Sequence, residues 1–425
     1  MNQPLKKCLV VNLYNEPWRK AMSNTYVRGL ISLGCVAAPV LVGVVVLLGI
    51  LSDSVSGMTS AQPGTEVIHV ATTGSDTPGC GGRASPCRTA QYAVDQAQGG
   101  EEIRMAAGSY TGVQGRAAPQ TYDGPAVITQ VVYISKTITI RGGYTTAFTD
   151  PPDPAANPTT LDAQGLGRAL VIADPSPDFA PQEAISPTIE GLRITRGDAK
   201  GLGGGLWGED GGGGVYASLT TAVISGSAIY SNTAYRGGGV YLKYGATTLV
   251  GNAIISNTAG WTGGGLVVES GADTIRHNAI NSNAAPYAGG GIWLADDRAM
   301  LGGNAVMSNT ATDGGGLYLS GSAAALGSNT ILANKASQWG GGLYLSESDV
   351  LLDRNIVASN TAELGGGFYL SFNSAATLTV NTIASNTATW GGGAYLGGTA
   401  ILDGNVISHN RASISGGGLS LGSSS

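Results

Sequence analysis

Carboxylates are the first residues to test for chemistry, because hydrolysis can use them in pairs and calcium is held by clusters of them. From residue 199 onward the chain holds twelve: Glu209, Asp210, Glu269, Asp273, Asp296, Asp297, Asp313, Glu347, Asp349, Asp353, Glu363 and Asp403. Only Asp353 and Asp403 fall at equivalent positions of the repeat described below, and they are two repeats apart. Asp296-Asp297-Arg298 is the densest charged cluster and reads as a solvated turn. His277 and His409 occupy unlike places and read as surface residues. This pattern supplies neither a paired acid and base nor a metal shell, so no catalytic residue, metal or cofactor is assigned.

Aromatic residues are arranged more regularly. Tyr216, Tyr241, Trp293, Tyr318, Tyr344, Tyr369 and Tyr395 each follow a glycine triplet at the same offset. Tyr235, Trp261, Tyr287, Trp339 and Trp390 precede triplets. The first set is expected on the outward side of a strand, as an exposed ladder along one face. Such a row could stack on the apolar C–H faces of sugar rings or meet another protein. It could equally be strand-favouring aromatics packed on their cross-strand neighbours. The candidate binding residues are therefore Tyr216, Tyr241, Trp261, Trp293, Tyr318, Trp339, Tyr344, Tyr369, Trp390 and Tyr395.

The element that positions them is a repeat. Triplets begin at Gly212, Gly237, Gly263, Gly289, Gly314, Gly340, Gly365, Gly391 and Gly416, 25 or 26 residues apart throughout. Another at Gly203 is out of phase and marks an insertion. An Asn-bearing signature follows each of the earlier triplets, as in NAIISN at 252–257 and NTIASN at 381–386. Alternation along a strand then defines inward columns. Two contain Val240, Leu266 and Ile292, and Leu242, Val268 and Leu294; two more contain Leu249, Ile275 and Leu301, and Ile254, Ile280 and Val306. Four buried aliphatics stabilise a coil by about 6–12 kcal/mol, less than the cost of ordering its backbone. No coil folds alone; each needs neighbours above and below, which is the logic of a solenoid. The fold class is therefore all-β, a right-handed parallel β-helix with 25–26-residue coils. Triplets permit positive φ and close stacking. Asn suits left-handed corners and hydrogen-bonded ladders.

The 68 glycines among 425 residues, without a three-residue period, exclude both ordinary helices and collagen. A net charge of −6 with no basic patch argues against nucleic acid. Residues 1–28 read as a basic cytoplasmic segment and 29–51 as one transmembrane or signal helix. The latter is either an uncleaved anchor or a signal cleaved near Thr59-Ser60-Ala61. Residues 52–63 form a linker, 64–198 a cap with irregular first coils, and 199–425 the regular repeats. A short helix over 88–100, ended by Gly99, is expected to cover the first coil. Cys80 and Cys87 are expected to form a local disulfide in an exported chain.

The opening HVATTGSD…SPCRTAQYAVDQA…EEIRMAAGSYTG resembles the N-terminal segment of bacterial right-handed β-helix proteins of the pectin-lyase-like fold. The triplet and Asn repeats look like those of chlamydial polymorphic outer-membrane proteins. Together the resemblances span residues 67–421. They imply a surface protein that adheres to polysaccharide or protein; with the apolar run at residues 29–51 it is expected at the cell envelope or outside the cell, membrane-anchored or secreted. They also keep open the fold's other use, a polysaccharide lyase or hydrolase with its site in segment 100–200. The polymorphic proteins carry a C-terminal outer-membrane barrel that residues 1–425 lack, so their transport route is not carried over.

Overall fold

The computed structural model describes residues 66–120, 122–174 and 184–422. The basic segment, the apolar segment 29–51 and the linker expected at 52–63 lie outside the described residues. Among those described, no helix is long and apolar enough to cross a membrane.

A typical coil shows why the sequence winds. Thr248–Val250 forms a strand, the chain turns at Gly251-Asn252, and Ala253–Ile255 forms a second strand. It turns again at Ser256-Asn257, runs through Thr258–Thr262, and crosses the glycine triplet into the third strand, Leu266–Glu269. Each strand pairs in parallel with its equivalents one coil away, in register, as Leu249 does with Ile224 and Ile275. The result is a right-handed parallel β-helix with three long sheets of 12, 11 and 12 strands among the described residues. Thr258–Thr262 and its equivalents add a shorter ladder beside the triplets. One antiparallel pair, Gln114–Ala117 with Val127–Ile134, departs from the pattern in the early coils.

The inward columns form one continuous apolar core from Val70 to Leu396. Leu402, in the last described coil, is 40% exposed because no described coil stacks on it. At the other end helix α1 (Ala90–Gln96) covers the first coil, burying Ala90, Ala93 and Val94. It is shorter than the expected 88–100. Thr89 caps its start by accepting from the Tyr92 N–H, and Ala97 leaves the helix to bury in the core before the strand at Glu102. Cys80 and Cys87 are disulfide-bonded beside this cap.

The Asn corners differ in mechanism from the expectation. The residue before each Asn takes the left-handed conformation, as at Gly251 (φ 65°) and Ser256 (φ 55°), and the Asn is left free for hydrogen bonding. Asn309 is typical. Its Oδ1 accepts from the Asn283 N–H and from Asn283 Nδ2 at 2.9 and 3.1 Å. Its Nδ2 donates to the Ile280 carbonyl and to Asn334 Oδ1 at 2.9 and 3.0 Å. Each Asn with a described coil on both sides thus links three coils, and the two ladders run through the interior.

The triplets combine two constraints. Gly237 opens one at φ 62°. A methyl group at Gly239 would lie 2.6 Å from the Gly265 carbonyl oxygen and 2.8 Å from Asn257 Nδ2. Neighbouring triplets therefore stack at a distance that any side chain would block.

Candidate functional site

The aromatic ladder is not exposed, and this corrects the expectation. Tyr216, Tyr241, Trp293, Tyr318, Tyr344 and Tyr369 point away from the main core but are all buried, and Tyr395 is half-buried. They form a second apolar layer on the outer face of the third sheet. The physical reason is the residue one before each triplet, which packs against this row. Trp339 meets the Tyr344 ring edge-on and stacks on Tyr369, both at 5.8 Å between centroids. Tyr318, Tyr344 and Tyr369 also pack edge to face at 4.7 and 4.9 Å. Trp390, also one before its triplet, is half-buried.

Two positions before the triplet, alternation turns the side chain the other way. Tyr235, Trp261 and Tyr287 are 39%, 37% and 39% exposed and stack on one another along the solenoid. The Trp261 and Tyr287 planes lie 4.3 Å apart between centroids and 7° from parallel. Of the expected binding residues, Trp261 therefore remains at the surface in an exposed row.

The out-of-phase triplet at Gly203 opens an insertion, residues 199–211, that lies against the outer layer. Arg168, fully buried, pins it. The guanidinium donates to the carbonyls of Gly203 (2.6 Å) and Gly211 (2.8 Å) and to the Tyr122 hydroxyl (2.7 Å). The Tyr216 hydroxyl donates to the Gly204 carbonyl, and the Asp210 carboxylate accepts from the Gly201 and Gly203 N–H groups. At its tip stands Trp207, 83% exposed and held at φ 57°. Such a conformation is uncommon for a bulky residue and costs about 1–2 kcal/mol. Sequence reasoning missed Trp207; its signal was an aromatic placed off the repeat grid, directly after the irregular triplet.

Beneath the insertion the carboxylates that looked scattered converge. Arg236 pairs with Glu209 and lies 3.7 Å from Glu269 Oε1. The Tyr241 hydroxyl donates to Glu269 Oε2. Lys243 Nζ lies 3.4 Å from the Gly205 carbonyl oxygen and 4.9 Å from the Tyr244 ring centroid. Burial pushes the Glu269 carboxyl up, although Tyr241, Arg236 and Lys243 oppose it. Burial also pushes the Lys243 ammonium down, against the pull of Glu269 and Asp123. Arg236, Lys243, Glu269 and Tyr241 are all buried and directed at one another or at backbone. A general base must reach its substrate's proton, and these groups face inward.

Other carboxylates stand elsewhere. Asp273 and Asp297 come from neighbouring coils, correcting the reading of Asp296-Asp297-Arg298 as wholly solvated. Asp297 is buried and accepts from the Gly271 N–H at 2.7 Å, while Asp273 accepts from Thr247 N–H at 2.6 Å. Burial, then Asp297, raises the Asp273 carboxyl to about 7. Asp313 enters the aromatic layer, where burial raises it to about 6. Asp353 and Asp403 keep their shared column, two coils apart, with Thr379 between. Among the described residues no three acidic, His or Cys side chains gather as a metal site would need.

Known proteins match the fold more than any activity. The family model described as "Right handed beta helix region" matches residues 264–425. Among solved structures, the crystal structure of pectate lyase Pel9A is similar at 12% identity and a TM-score of 0.34, over 73% of this chain and 76% of that one. No curated protein matches.

Proposed function

We propose that this β-helix is a non-catalytic surface protein that binds polysaccharide, held at the cell envelope by residues 29–51. One contrast carries the reading. Around the insertion the charged groups neutralise one another in the interior, while the aromatic groups, Trp207 and the Tyr235–Trp261–Tyr287 row, face solvent. Exposed aromatic surface on a rigid scaffold suits sugar rings, whose C–H faces are apolar. The likeness of the repeats to those of polymorphic outer-membrane adhesins supports the same role.

A lyase would need an accessible base and a calcium shell, and the buried Lys243 and dispersed carboxylates favour neither. Affinity electrophoresis of the full chain in gels cast with a panel of polysaccharides tests the reading. Retardation without shortened or unsaturated products is expected. Calcium-dependent appearance of such products overturns it.

A further inference from the structure

We propose that Trp207 and Asp123 form a site for an uncharged pyranose polymer. This deepens the polysaccharide-binding reading and rests on it. The indole of Trp207 is exposed on a loop already fixed in place. Arg168, Tyr216 and Asp210 fasten the segment before it, and Gly205 N–H donates to the Glu209 carbonyl across its base at 2.7 Å. Arg236, paired with Glu209, holds its guanidinium 6.0 Å from the indole centroid and 5.1 Å from that of Trp293. A ring held in this way loses little freedom when it stacks, so the affinity it offers is not spent on ordering.

The second half of the site is Asp123, carried by the loop between the antiparallel strands of the early coils. Its side chain is exposed, and Oδ1 lies 3.4 Å from the position a Cβ would take on Gly208, the residue next to Trp207. A carboxylate accepts hydrogen bonds from hydroxyl groups. Beside an aromatic face it fits a sugar ring that presents C–H on one side and O–H at its edge.

Charge decides which sugar. Asp123, Asp198, Glu209, Asp210 and Glu269 lie on or under this segment, with Arg168, Lys200, Arg236 and Lys243. Arg236 is engaged by Glu209 and Glu269, and Lys243 is buried against the Gly204 and Gly205 carbonyls. Arg168, Arg236 and Lys243 are buried, while the Asp123 carboxylate beside the ring is exposed; it repels a uronate, whereas a neutral hydroxylated ring meets an acceptor.

The test uses the full chain, with cellohexaose, mannohexaose and xylohexaose as neutral probes and a galacturonate hexamer as the acidic one, followed by calorimetry and tryptophan fluorescence. At least one neutral hexamer is expected to bind and the acidic one not. Trp207→Ala is expected to weaken that binding about tenfold or more, as truncating an aromatic anchor does. Asp123→Asn weakens it about threefold, the scale of one hydrogen bond. An unchanged far-UV spectrum and unfolding midpoint show that either variant still folds. Binding of the galacturonate hexamer alone overturns the sugar class and leaves polysaccharide binding standing. Neutral binding indifferent to Trp207→Ala overturns the site. Binding of no glycan in this panel or in the affinity gels overturns both readings.

Discussion

Gly237 and Gly203 each begin a glycine triplet, with φ of 62° and 67°. At Gly237 the chain goes on into a strand whose Tyr241 is buried under its neighbours. At Gly203 it goes on into a loop whose Trp207 stands in solvent. The same local device therefore serves opposite ends. Within the periodic coils, every coil supplies partners for the next, and aromatic side chains become a second core. In the insertion no neighbouring coil repeats the loop, so its aromatic ring has nothing to pack beneath. Periodicity consumes side chains for stability; interruption leaves one exposed.

The buried layer offers the largest effect with which to break this comparison. Tyr344→Ala should destabilise the chain by about 3–5 kcal/mol, as truncating a buried aromatic does, read from denaturant unfolding. A loss below about 1 kcal/mol would show that the row is not a second core. Next comes the ladder. Asn309→Ala leaves the Ile280 carbonyl and the Asn283 groups without partners in the interior, an expected loss of about 3 kcal/mol. Asn309→Asp should lose at least as much at neutral pH, because a carboxylate oxygen would face the Ile280 carbonyl and Asn334 Oδ1, to which Nδ2 donated; a loss well below that of Asn309→Ala would remove the donor role from the ladder.

A smaller effect concerns pH. The Asp273 carboxyl, raised to about 7 from 3.8, holds its proton more tightly in the folded chain than in the unfolded one. Its stabilising contribution is thus complete below about pH 4 and is lost as pH rises through about 7. Asp273→Asn should flatten the stability profile between those limits and raise stability near pH 8. A profile with the same slope in both proteins would assign the dependence to another group. The smallest effect is expected at the surface. Trp261→Ala should change stability by about 1 kcal/mol or less, since only its stacking on Tyr235 and Tyr287 is lost. A loss matching that of Tyr344→Ala would erase the distinction between the two aromatic rows.

Most of the periodic architecture could be read from residue spacing. The inward columns, the coil length and the Asn ladders follow from alternation and recurrence, both local properties. The aromatic site could not be read in the same way, because exposure depends on a neighbour's side chain. Trp339 stands one residue before its triplet and packs on Tyr344; Trp261 stands two before and faces solvent. That difference of one position is visible in the sequence, but its meaning requires knowing which side of the ladder faces the third sheet. The ion network is harder still. Glu209 meets Arg236 only because the insertion folds back over the sheet, and Arg236 approaches Glu269 from a different repeat position on the neighbouring coil. Asp273 and Asp297 hold different places in the repeat, and a column comparison separates them although neighbouring coils bring them to one turn.

The two Asn ladders carry one more consequence. Asn309 takes the Asn283 donors and the Ile280 carbonyl from the coil before and Asn334 Oδ1 from the coil after, the same set that Asn283 and Asn334 find one coil along. A coil that paired one repeat out of step would find almost the same partners. The ladders therefore favour stacking without specifying an address. Arg168 does specify one. It engages Tyr122, Gly203 and Gly211 together, a combination drawn from the irregular coils and the insertion. The loop that presents Trp207 thus doubles as a starting mark from which the otherwise identical turns are counted.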